Sequence, residues 1–483
     1  MRPSYPRSRR VAYKLSKFLI CPRIDLDKLP KTLTCKQWAK RYRTMNPAPK
    51  HLAEPMQSRQ LLTLDTLALL ILVPAHILGQ DDYLSVIALL AYLMIALWFP
   101  LPETVQLLNS SFRYRITFIL RYALILTIAA STVLLPTLRN VMERFVAPIE
   151  ADGFSPAYSM LSDSALQTEI GLAYLANGNN PYEERYEDTP LRFYQWLDMD
   201  ALDWHDPAYD YFVYLPGNLL LSYPLYDLSE RLSFPYDQRI TYLLFYVVLL
   251  FVLPQLAKKP IYKLAYVAAV ALNPLLTQAV VLGMNDVVVF LALTLAILFL
   301  IQQKWGWSFL FMGIACALKQ YAWFIAPFYL LYVWQASQPN KQLARIATAV
   351  GMIGGIMFVT AVPFIIWNPQ AIYTDVLAFP AGRAELLYPI RGFTVGRLLM
   401  GAGIIPTFVS PFPFQLLQAV IGLPVLVALL IFQYRRDLAA MIVAAALFVF
   451  CIGFLSRFFH HNYVGVVTAL ATIGVLLDWH DTK

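Results

Sequence analysis

The sequence predicts an all-α membrane protein that crosses a bilayer about 12 times, and three observations support this fold class. Of its 483 residues, 59% are apolar and only 14% are charged, and the mean hydropathy is +0.55. A soluble globular protein carries about 25% charged residues, so a soluble enzyme is excluded. Apolar runs close to the roughly 20 residues that a helix needs to cross a bilayer recur along the chain. Aromatic residues account for 14% of the chain, which excludes disorder.

Residues 1–60 form a basic arm that contains 15 lysines and arginines but only three acidic residues. Its apolar patch at residues 18–21 is far shorter than the roughly 7–15 apolar residues of a signal peptide. The positive-inside rule therefore places this arm in the cytoplasm, where its charge can attract anionic membrane lipids. The arm contains no readout motif for nucleic acid, so no nucleic-acid partner is expected.

Two apolar runs within residues 61–115 predict two additional N-terminal transmembrane helices, and a membrane core follows at residues 116–478. The apolar runs lie at residues 61–79, 82–101, 116–136, 238–256, 261–281, 286–301, 346–367, 411–433, 438–455 and 462–478. A further stretch, residues 308–334, is longer than one span and has Lys319 near its centre. A charge that faces lipid costs roughly 2.5–3.5 kcal/mol, so this stretch is either one helix that buries Lys319 or two short arms that meet there. Its length favours two arms.

Residues 137–237 are predicted to form a large extracytoplasmic loop segment of the core. They contain 17 acidic residues, five arginines and no lysine, the opposite of the N-terminal arm. The segment contains a predicted helix at residues 164–176, with Ser164 and Gln167 spaced as a capping box and Asn177-Gly178 as its stop.

Ionisable residues at membrane depth usually line a cavity or a pathway, and several are predicted on the extracytoplasmic side of this protein. Asp163 is a candidate general base, because a carboxylate can accept the proton of an attacking hydroxyl. Its alternative role is a helix cap, and Glu169 is the rival candidate for the base. Lys319 lies at the centre of an apolar run and not near its end, which favours binding of a phosphate over snorkelling.

Two further groups of polar residues are predicted on the same side. Asn285 and Asp286 open a span, where they either cap the helix or bind an anion or a sugar at its N-terminus. Residues 367–399 and 456–463 supply basic side chains that either hold a leaving phosphate or anchor the protein to lipid headgroups. These basic residues are Arg383, Arg391, Arg397, Arg457, His460 and His461. The two histidines, when protonated, are also candidates to assist departure of the phosphate, or they simply cap a span end.

His205 lies between Asp203 and Asp206, which suggests a metal site, but ligands this close on a flexible loop often cannot all reach one ion. No cofactor is predicted, and a divalent metal remains an alternative without support. The aromatic residues of 202–226 are assigned to the membrane-interface belt, with stacking on a sugar as the alternative. The sequence contains no glycine-rich phosphate loop and no nucleophile elbow, so nucleotide-dependent chemistry is not expected.

An ordered set of short motifs gives the sequence a family resemblance. The motifs are Asp163, GNNPY (178–182), YLPGNLLLSYPL (214–225), NP (273–274), GMND (283–286), ALKQYA (317–322) and WNPQ (367–370). Their order resembles that of the C-type glycosyltransferase superfamily, and within it glycosyltransferase family 87, the polyprenyl-phosphomannose-dependent mannosyltransferases. The resemblance covers about residues 116–478. The chain departs from the family pattern by its two additional N-terminal spans and by YLPGN in place of the usual tyrosine-proline-proline.

The resemblance implies an integral membrane hexosyltransferase with a C-type glycosyltransferase fold. Its donor would be a hexose, such as mannose, on a polyprenyl phosphate. The hydroxyl of a lipid or glycan acceptor would attack with inversion at the extracytoplasmic face, and Asp163 would be the catalytic base. The residues that would hold the lipid phosphate are Lys319, Arg391, Arg457 and either His460 or His461. The expected location is the plasma membrane of a bacterial cell envelope, with the N-terminus in the cytoplasm.

Functions of two other classes remain open on the sequence alone. A flippase or secondary transporter for lipid-linked sugars also needs buried charges and broken helices, but such transporters often contain inverted repeats. The sequence shows no repeat, and its charged residues cluster towards one side of the predicted spans. A scaffold subunit of an envelope complex would use the same buried charges to bind other membrane helices.

Overall fold

The computed structural model describes residues 63–78, 82–101, 111–146, 160–193 and 206–482, so the basic arm at residues 1–60 lies outside the described chain. The first two helices, α1 (Leu64–Ile77) and α2 (Tyr83–Trp98), coincide with the two additional N-terminal runs. The next helix is unusually long, because α3 (Phe112–Ala129) continues through a π-helical turn at Ala130–Leu134 into α4 (Leu135–Val146).

The elements that follow build the rest of the described chain. The segment after α4 contains α5 (Asp163–Ala176), 3-10 turns at Pro190–Phe193 and Pro207–Tyr209, and α6 (Pro216–Arg231). The central helices are α7 (Gln238–Val252, extended by a 3-10 turn at Leu253–Leu256), α8 (Pro260–Tyr266, extended by a π-turn at Val267–Ala271), α9 (Pro274–Leu282), α10 (Asp286–Ile301), α11 (Trp305–Leu318), α12 (Tyr321–Gln335) and, after a 3-10 turn at Pro339–Lys341, α13 (Gln342–Trp367). The last elements are α14 (Pro369–Tyr373, extended by a π-turn at Thr374–Ala378), β1 (Arg391–Gly392), α15 (Val395–Gly401), α16 (Phe414–Leu417, extended by a π-turn at Gln418–Gly422), α17 (Leu423–Gln433), α18 (Leu438–Phe454), β2 (Phe458–Phe459) and α19 (His461–Thr482).

Four helices of the described chain are long and apolar enough to cross a membrane. They are Phe112–Val146, Gln238–Leu256, Pro339–Trp367 and Phe414–Gln433, and the bent pair Pro260–Ala271 and Pro274–Leu282 adds a fifth if it is one span. Six shorter apolar helices accompany them. Each apolar run of the sequence lies in a helix, so the described chain is nearly all-α as predicted. The count of about 12 spans stays a prediction.

Two breaks interrupt the helices near the polar residues singled out in the sequence. Residues 308–334 form two arms, as predicted, and Lys319 lies between them with an extended backbone (φ −156°, ψ 139°). The other break bends the chain by 56° between α8 and α9. Pro274 cannot donate a backbone hydrogen bond there, and Asn273 caps α9 by accepting from the N–H of Leu275 at 3.1 Å.

Helix α10 lies within the main hydrophobic core and is buried along nearly its whole length. It packs against α7, α11 and α19, and α18 packs along α19. Because protein covers α10 on all sides, its sequence is apolar all round and not amphipathic. A second, smaller hydrophobic cluster joins α5 to α6 around Phe212 and Phe364. The burial of α10 places its first residue, Asp286, inside the protein and out of contact with lipid.

A buried polar network fastens α1 and α2 to α3. The carboxylate of Asp65 accepts hydrogen bonds from Tyr92 and Arg121, and all three side chains are buried. The Arg121 guanidinium also lies over the Tyr92 ring, 4.8 Å from its centroid. Near the other end of α1, His76 Nε2 lies 3.0 Å from the carbonyl oxygen of Leu272, at the break between α8 and α9. The two additional helices therefore pack directly on the core.

We expect Arg121→Met to lower the thermal stability of the detergent-purified protein, because it leaves the buried Asp65 carboxylate without its cation. Removing one partner of a buried ion pair costs about 3–5 kcal/mol. The double variant Asp65→Asn, Arg121→Met should recover most of this loss. Arg139→Met is the matched control, since Arg139 pairs with Glu143 at the protein surface. Equal unfolding temperatures for Arg121→Met and the control would contradict the proposed role of the network.

Candidate active site

Helix α5 carries Asp163 at its first position. The N-cap is Ser162, whose Oγ accepts a hydrogen bond from the backbone N–H of Ala165 at 3.2 Å. Asp163 Oδ1 accepts from the N–H of Ser164 at 2.7 Å. The predicted capping box of Ser164 and Gln167 is therefore wrong, as is the cap role considered for Asp163, because the preceding serine performs it. The predicted helix and its stop are confirmed.

The start of α5 is fixed to the turn before α10 by three hydrogen bonds. The N–H of Ser162 donates to the carbonyl of Leu282 at 2.7 Å, and its Oγ donates to the carbonyl of Gly283 at 3.0 Å. Ser164 Oγ donates to the same Gly283 carbonyl at 3.3 Å. Gly283 has a φ of +80°, and a Cβ at this position would lie 2.9 Å from the Cβ of Ala165. Glycine at this position therefore lets the first turns of α5 and α10 approach each other.

Glu169 lies on another side of α5 and belongs to a buried ion-pair network. Arg144 donates two hydrogen bonds to it, of 2.6 and 2.9 Å, and a third to Asp237 at 2.9 Å. The backbone N–H of Gln238 donates to the same Glu169 carboxylate at 2.7 Å. Burial raises the pKa of Glu169 despite the charge of Arg144, but both of its carboxylate oxygens already accept hydrogen bonds and are not open to a substrate hydroxyl. Of the two candidates for the base, the geometry favours Asp163.

Lys319 lies at the break between α11 and α12, where its ammonium group is buried in a polar cluster. Its Nζ donates to Asn285 Oδ1 and Asp286 Oδ1, each at 2.8 Å. The second carboxylate oxygen of Asp286 accepts from Asn462 at 2.6 Å, and the Tyr463 ring centroid lies 4.7 Å from Nζ. The cap role considered for Asn285 is wrong, because its side chain makes no capping hydrogen bond. Asn285 and Asp286 instead hold the charge of Lys319.

Three buried polar atoms of this cluster have no hydrogen-bond partner within the described chain. Asn285 Nδ2 is a donor, Asn462 Oδ1 is an acceptor, and His461 Nε2 is one or the other according to its tautomer. Lys319 also has a third N–H beyond the two that bond to Asn285 and Asp286. Since buried polar groups are nearly always paired, the cluster is suited to bind a further polar group.

A short parallel strand pair positions Arg391 and the two histidines. Strand β1 pairs with β2 in the register that places Arg391 opposite Phe458, and the histidines follow β2 directly. The positive charges of Arg391 and Lys319 both act on Asp163 and on His460. The structure therefore brings together the predicted base, Lys319, Arg391 and His460.

Burial lowers the pKa of His460 to about 4, and the nearby positive charge of Arg391 contributes to the shift. The imidazole is then neutral at pH 7, which argues against the predicted role as a protonated acid. A neutral imidazole can still donate one N–H to a phosphate oxygen. His460 therefore fits a binding role better than a proton-transfer role.

Arg457 directly precedes β2, and its guanidinium forms hydrogen bonds with backbone carbonyls of the protein. It is 3% exposed and donates to the backbone carbonyls of Tyr388, Phe408 and Ser410. These contacts fasten the chain between α14 and α16 to the turn that precedes β2. The predicted contact of Arg457 with a phosphate stays a prediction. The exposed arginines of the same region are Arg383 and Arg397.

A small cavity that is open to solvent lies beside Asp163. Its walls are formed by Asp163, Gln167, Asp206, Pro207, Ala208, Tyr211, Val213, Tyr214, Phe379, Tyr388 and Pro389. These described wall residues include two carboxylates and no lysine or arginine. Burial raises the pKa of Asp163, although its hydrogen bond from Ser164 and the charges of the two nearby cations oppose the shift. Asp163 thus lines an aromatic cavity and also lies close enough to the basic cluster for its charges to act on the carboxylate.

The residues that shape this cavity were not predicted as such from the sequence. Gln167 donates to the carbonyls of Ala208 and Tyr211, each at 2.8 Å, and so holds the chain after Asp206 against α5. The feature of the sequence that could have indicated these wall residues is the aromatic run at residues 202–226. Its assignment to a membrane-interface belt is wrong for Phe212, which is fully buried in the second hydrophobic cluster.

Asp375 is a further buried carboxylate behind the cavity wall. It accepts a hydrogen bond from the backbone N–H of Phe212 at 2.8 Å, and burial raises its pKa to about 8. Of the suggested metal ligands, Asp203 and His205 lie outside the described residues. Within the described ranges, no group of three His, Cys, Asp or Glu side chains is placed to hold a metal ion.

A comparison with known proteins identifies the family to which this site belongs. Residues 212–475 match Glycosyltransferase family 87, and this segment is more than half of the 483-residue chain. The chain belongs to glycosyltransferase family 87. No curated protein matches it. As a family 87 member with several apolar membrane-length helices, the protein is a membrane glycosyltransferase.

The family 87 match covers only part of the candidate site. It contains the Lys319 cluster, Arg391 and both histidines, whereas Asp163 and the GNNPY motif precede its first residue. The hydrogen bonds from Ser162 to the turn before α10 connect the unmatched helix to the matched segment. Asp163 therefore stays a candidate that rests on its position in the structure and not on the family match.

We expect Glu169→Gln to lower the thermal stability of the protein at pH 7, whereas Asp163→Asn should leave it unchanged or raise it. The Glu169 change weakens hydrogen bonds to a charged group, each worth about 1.5–3 kcal/mol. The raised pKa of Asp163 means that its ionised form destabilises the fold above that pKa, and asparagine removes this cost. Thermal unfolding of both variants in the same detergent tests the distinction. A larger loss of stability for Asp163→Asn would reverse the two assignments.

Proposed function

We propose that this family 87 protein transfers a hexose, with mannose as the first candidate, from a polyprenyl phosphate to an acceptor hydroxyl. The observation that supports it best is that Asp163 both lines the aromatic cavity and lies within reach of the charges of Lys319 and Arg391. A transferase of this type needs a base next to the acceptor and cations next to the departing phosphate. The site supplies a carboxylate and two cations whose charges act on it.

The chemical step is an inverting displacement at the anomeric carbon. The acceptor oxygen forms a bond to this carbon as the bond from the carbon to the phosphate oxygen breaks, and the electron pair stays with the phosphate. Asp163 takes the hydroxyl proton. General-base assistance of this kind contributes about 10²- to 10⁴-fold to the rate. The raised pKa makes Asp163 a stronger base than an ordinary aspartate, provided that it is ionised.

The departing polyprenyl phosphate gains negative charge in the transition state, and the basic cluster is placed to stabilise that charge. Arg391 can bind two phosphate oxygens, and Lys319 has a third N–H beyond its two bonds to Asn285 and Asp286. The unpartnered Nδ2 of Asn285 adds a neutral donor in the same cluster. We assign the phosphate to this cluster, with His460 as a further hydrogen-bond donor.

The charge distribution supports an extracytoplasmic position for the site. The basic loops at residues 258–259 and 304 follow the C-terminal ends of α7 and α10, whereas the site lies at the N-terminal end of α10, and in the sequence the basic arm at residues 1–60 precedes α1. Under the positive-inside rule these ends face the cytoplasm. We therefore propose a plasma-membrane protein of about 12 spans whose site faces outward, with a lipid or glycan as its acceptor.

A flippase for lipid-linked sugars is the competing function from another class. Family 87 membership supports an enzyme, and the one-sided position of Asp163, Lys319 and Arg391 fits transfer at a single membrane face. The flippase predicts movement of the lipid without transfer of the sugar, so the experiments below also distinguish the two.

We expect Asp163→Asn to lower kcat for transfer from polyprenyl-phosphate mannose about 10²- to 10⁴-fold while binding of that donor is retained. Asp188→Asn is the matched control, because Asp188 is exposed in the same segment of the chain. Both variants are purified in nanodiscs and assayed for transfer and for donor binding. Full activity of a folded Asp163→Asn protein would overturn the assignment of the base.

We expect Arg391→Gln to raise the donor KM and to move the acidic limb of the pH profile of kcat/KM to higher pH. The positive charge of Arg391 lowers the pKa of Asp163, so its removal requires a higher pH for ionisation of the base. Arg397→Gln is the control, since Arg397 is exposed a few residues away. An unchanged profile in Arg391→Gln would show that its charge does not act on the base.

A further inference from the structure

We infer that the helix ends remote from the candidate active site bind the headgroup of an anionic phospholipid, and that Arg345 and Arg435 bind its phosphate. The site lies where the turn between α12 and α13 meets the turn between α17 and α18. It takes no part in the transfer reaction, so the inference goes beyond the proposed function and does not depend on it.

The directions of three helices place this cluster at the opposite helix ends from the candidate active site. Helix α12 begins two residues after Lys319 and ends at Gln335. Helix α10 begins with Asp286, a partner of Lys319, and ends at Ile301. Helix α18 runs from the turn that contains Arg435 to the residues before β2. On the proposed topology, these remote ends lie at the cytoplasmic surface of the membrane.

The turns at these helix ends are strongly basic. Residues 302–307, 335–345 and 433–437 contain five lysines and arginines and one acidic residue. The basic residues are Lys304, Lys341, Arg345, Arg435 and Arg436. The acidic residue, Asp437, caps α18 by accepting from the N–H of Ala440 at 2.9 Å. Five positive charges against one negative charge favour an anionic ligand.

Direct contacts join the two turns into one surface. The backbone N–H of Arg435 donates to Gln335 Oε1. Arg345 donates to Ser337 Oγ at 3.3 Å, two residues after Gln335. The Arg345 guanidinium also lies over the Trp305 ring, 4.3 Å from its centroid, which fixes its position. Both arginines are therefore held at the end of α12.

The cluster also has hydrogen-bond donors that suit a phosphate. A guanidinium has five N–H groups in a planar fork, and the contact with Ser337 uses one nitrogen of Arg345. Gln335 Nε2 is buried and has no hydrogen-bond partner within the described chain. Buried donors are nearly always paired, and phosphate oxygens accept several hydrogen bonds from arginine and amide groups. A phosphodiester bound at the end of α12 would satisfy this donor.

Arg435 has a backbone conformation that arginine rarely adopts. Its φ is +63°, in the left-handed region that favours glycine or asparagine. Its side chain is exposed, so burial in the core does not account for an arginine at this position. A residue that contradicts the local backbone preference is typical of a functional position. The guanidinium is the part of Arg435 that glycine or asparagine would lack.

The surroundings of the cluster favour a lipid over a soluble anion. Trp307, Trp334 and Tyr434 are exposed at the same helix ends. Tryptophan and tyrosine are enriched at the level of the lipid headgroups, so these rings place the cluster at that level. Basic pockets between membrane helices on the cytoplasmic side are typical sites for anionic headgroups.

Two variants and a matched control test this site. Arg435→Asn removes a charge with little risk to the fold, because asparagine adopts the left-handed conformation more readily than arginine does. Arg345→Gln removes the other charge. Lys258→Gln is the control, since Lys258 is exposed in the basic loop that follows α7 at the same helix ends. Binding of phosphatidylglycerol to the full-length protein in detergent is measured by native mass spectrometry, with phosphatidylcholine as the lipid without net charge.

We expect the wild-type protein to bind phosphatidylglycerol in preference to phosphatidylcholine. Arg345→Gln and Arg435→Asn should each bind phosphatidylglycerol about tenfold more weakly, since each loses hydrogen bonds to a charged group, whereas Lys258→Gln should bind it as the wild type does. Equal binding of the two lipids by the wild type, or equal affinities of all three variants, would overturn the inference.

Thermal unfolding distinguishes a lipid from a free anion. Phosphatidylglycerol should raise the unfolding temperatures of the wild type and of Lys258→Gln, because it binds the folded protein. The rise should be smaller in Arg345→Gln and Arg435→Asn, each compared with its own unfolding temperature without lipid. An equal rise caused by inorganic phosphate at the same concentration would assign the cluster to a soluble anion and overturn the lipid site.

Discussion

The site depends on the hydrogen bonds that join the first turn of α5 to the turn before α10. Ser162 donates from its backbone and its side chain to the carbonyls of Leu282 and Gly283. These bonds bring a helix from the segment between α4 and α7 against the start of a helix that is buried in the membrane core. Without them, Asp163 would have no fixed position relative to Lys319, whose partners Asn285 and Asp286 begin α10. The contact requires glycine at position 283, because a Cβ there would lie too close to the Cβ of Ala165.

The two acidic residues of α5, Glu169 and Asp163, make different contacts on two faces of the helix. Both carboxylate oxygens of Glu169 accept hydrogen bonds from Arg144, and one also accepts from the backbone N–H of Gln238. Glu169 therefore stabilises the packing of α5 against α4 and α7. Burial raises the pKa of both carboxylates, but of the two it is Asp163 that lines the cavity. A residue that costs stability in its working state is typical of an active site. The ion-pair network on another face compensates by anchoring the same helix.

The sequence predicted the helices well because a bilayer leaves few alternatives. Backbone groups in lipid must be paired within the chain, so each long apolar run forms a helix. The length of residues 308–334 and the position of Lys319 were sufficient to predict two arms. The choice between Asp163 and Glu169 could not be made locally, since both lie in one helix and the deciding partners, Arg144 and Gln238, are distant in sequence. The cap was misplaced by two residues because Ser162 and Ser164 have the same chemistry.

The roles of the cations and of the cavity depended on contacts that no motif encodes. Arg457 resembles a phosphate ligand in the sequence, yet its guanidinium donates to three backbone carbonyls that lie 47 to 69 residues earlier in the chain. Asp206 looked like part of a loop metal site, yet it lines a cavity with Asp163 because Gln167 holds its turn.

The most direct measurement is a cryo-EM map of the protein in nanodiscs with an unreactive phosphonate analogue of a polyprenyl-phosphate hexose. We expect phosphonate oxygens within hydrogen-bond distance of Arg391 or Lys319, and the anomeric carbon facing Asp163. A phosphonate bound only beside Asp206, or only at the opposite ends of the helices, would contradict this expectation.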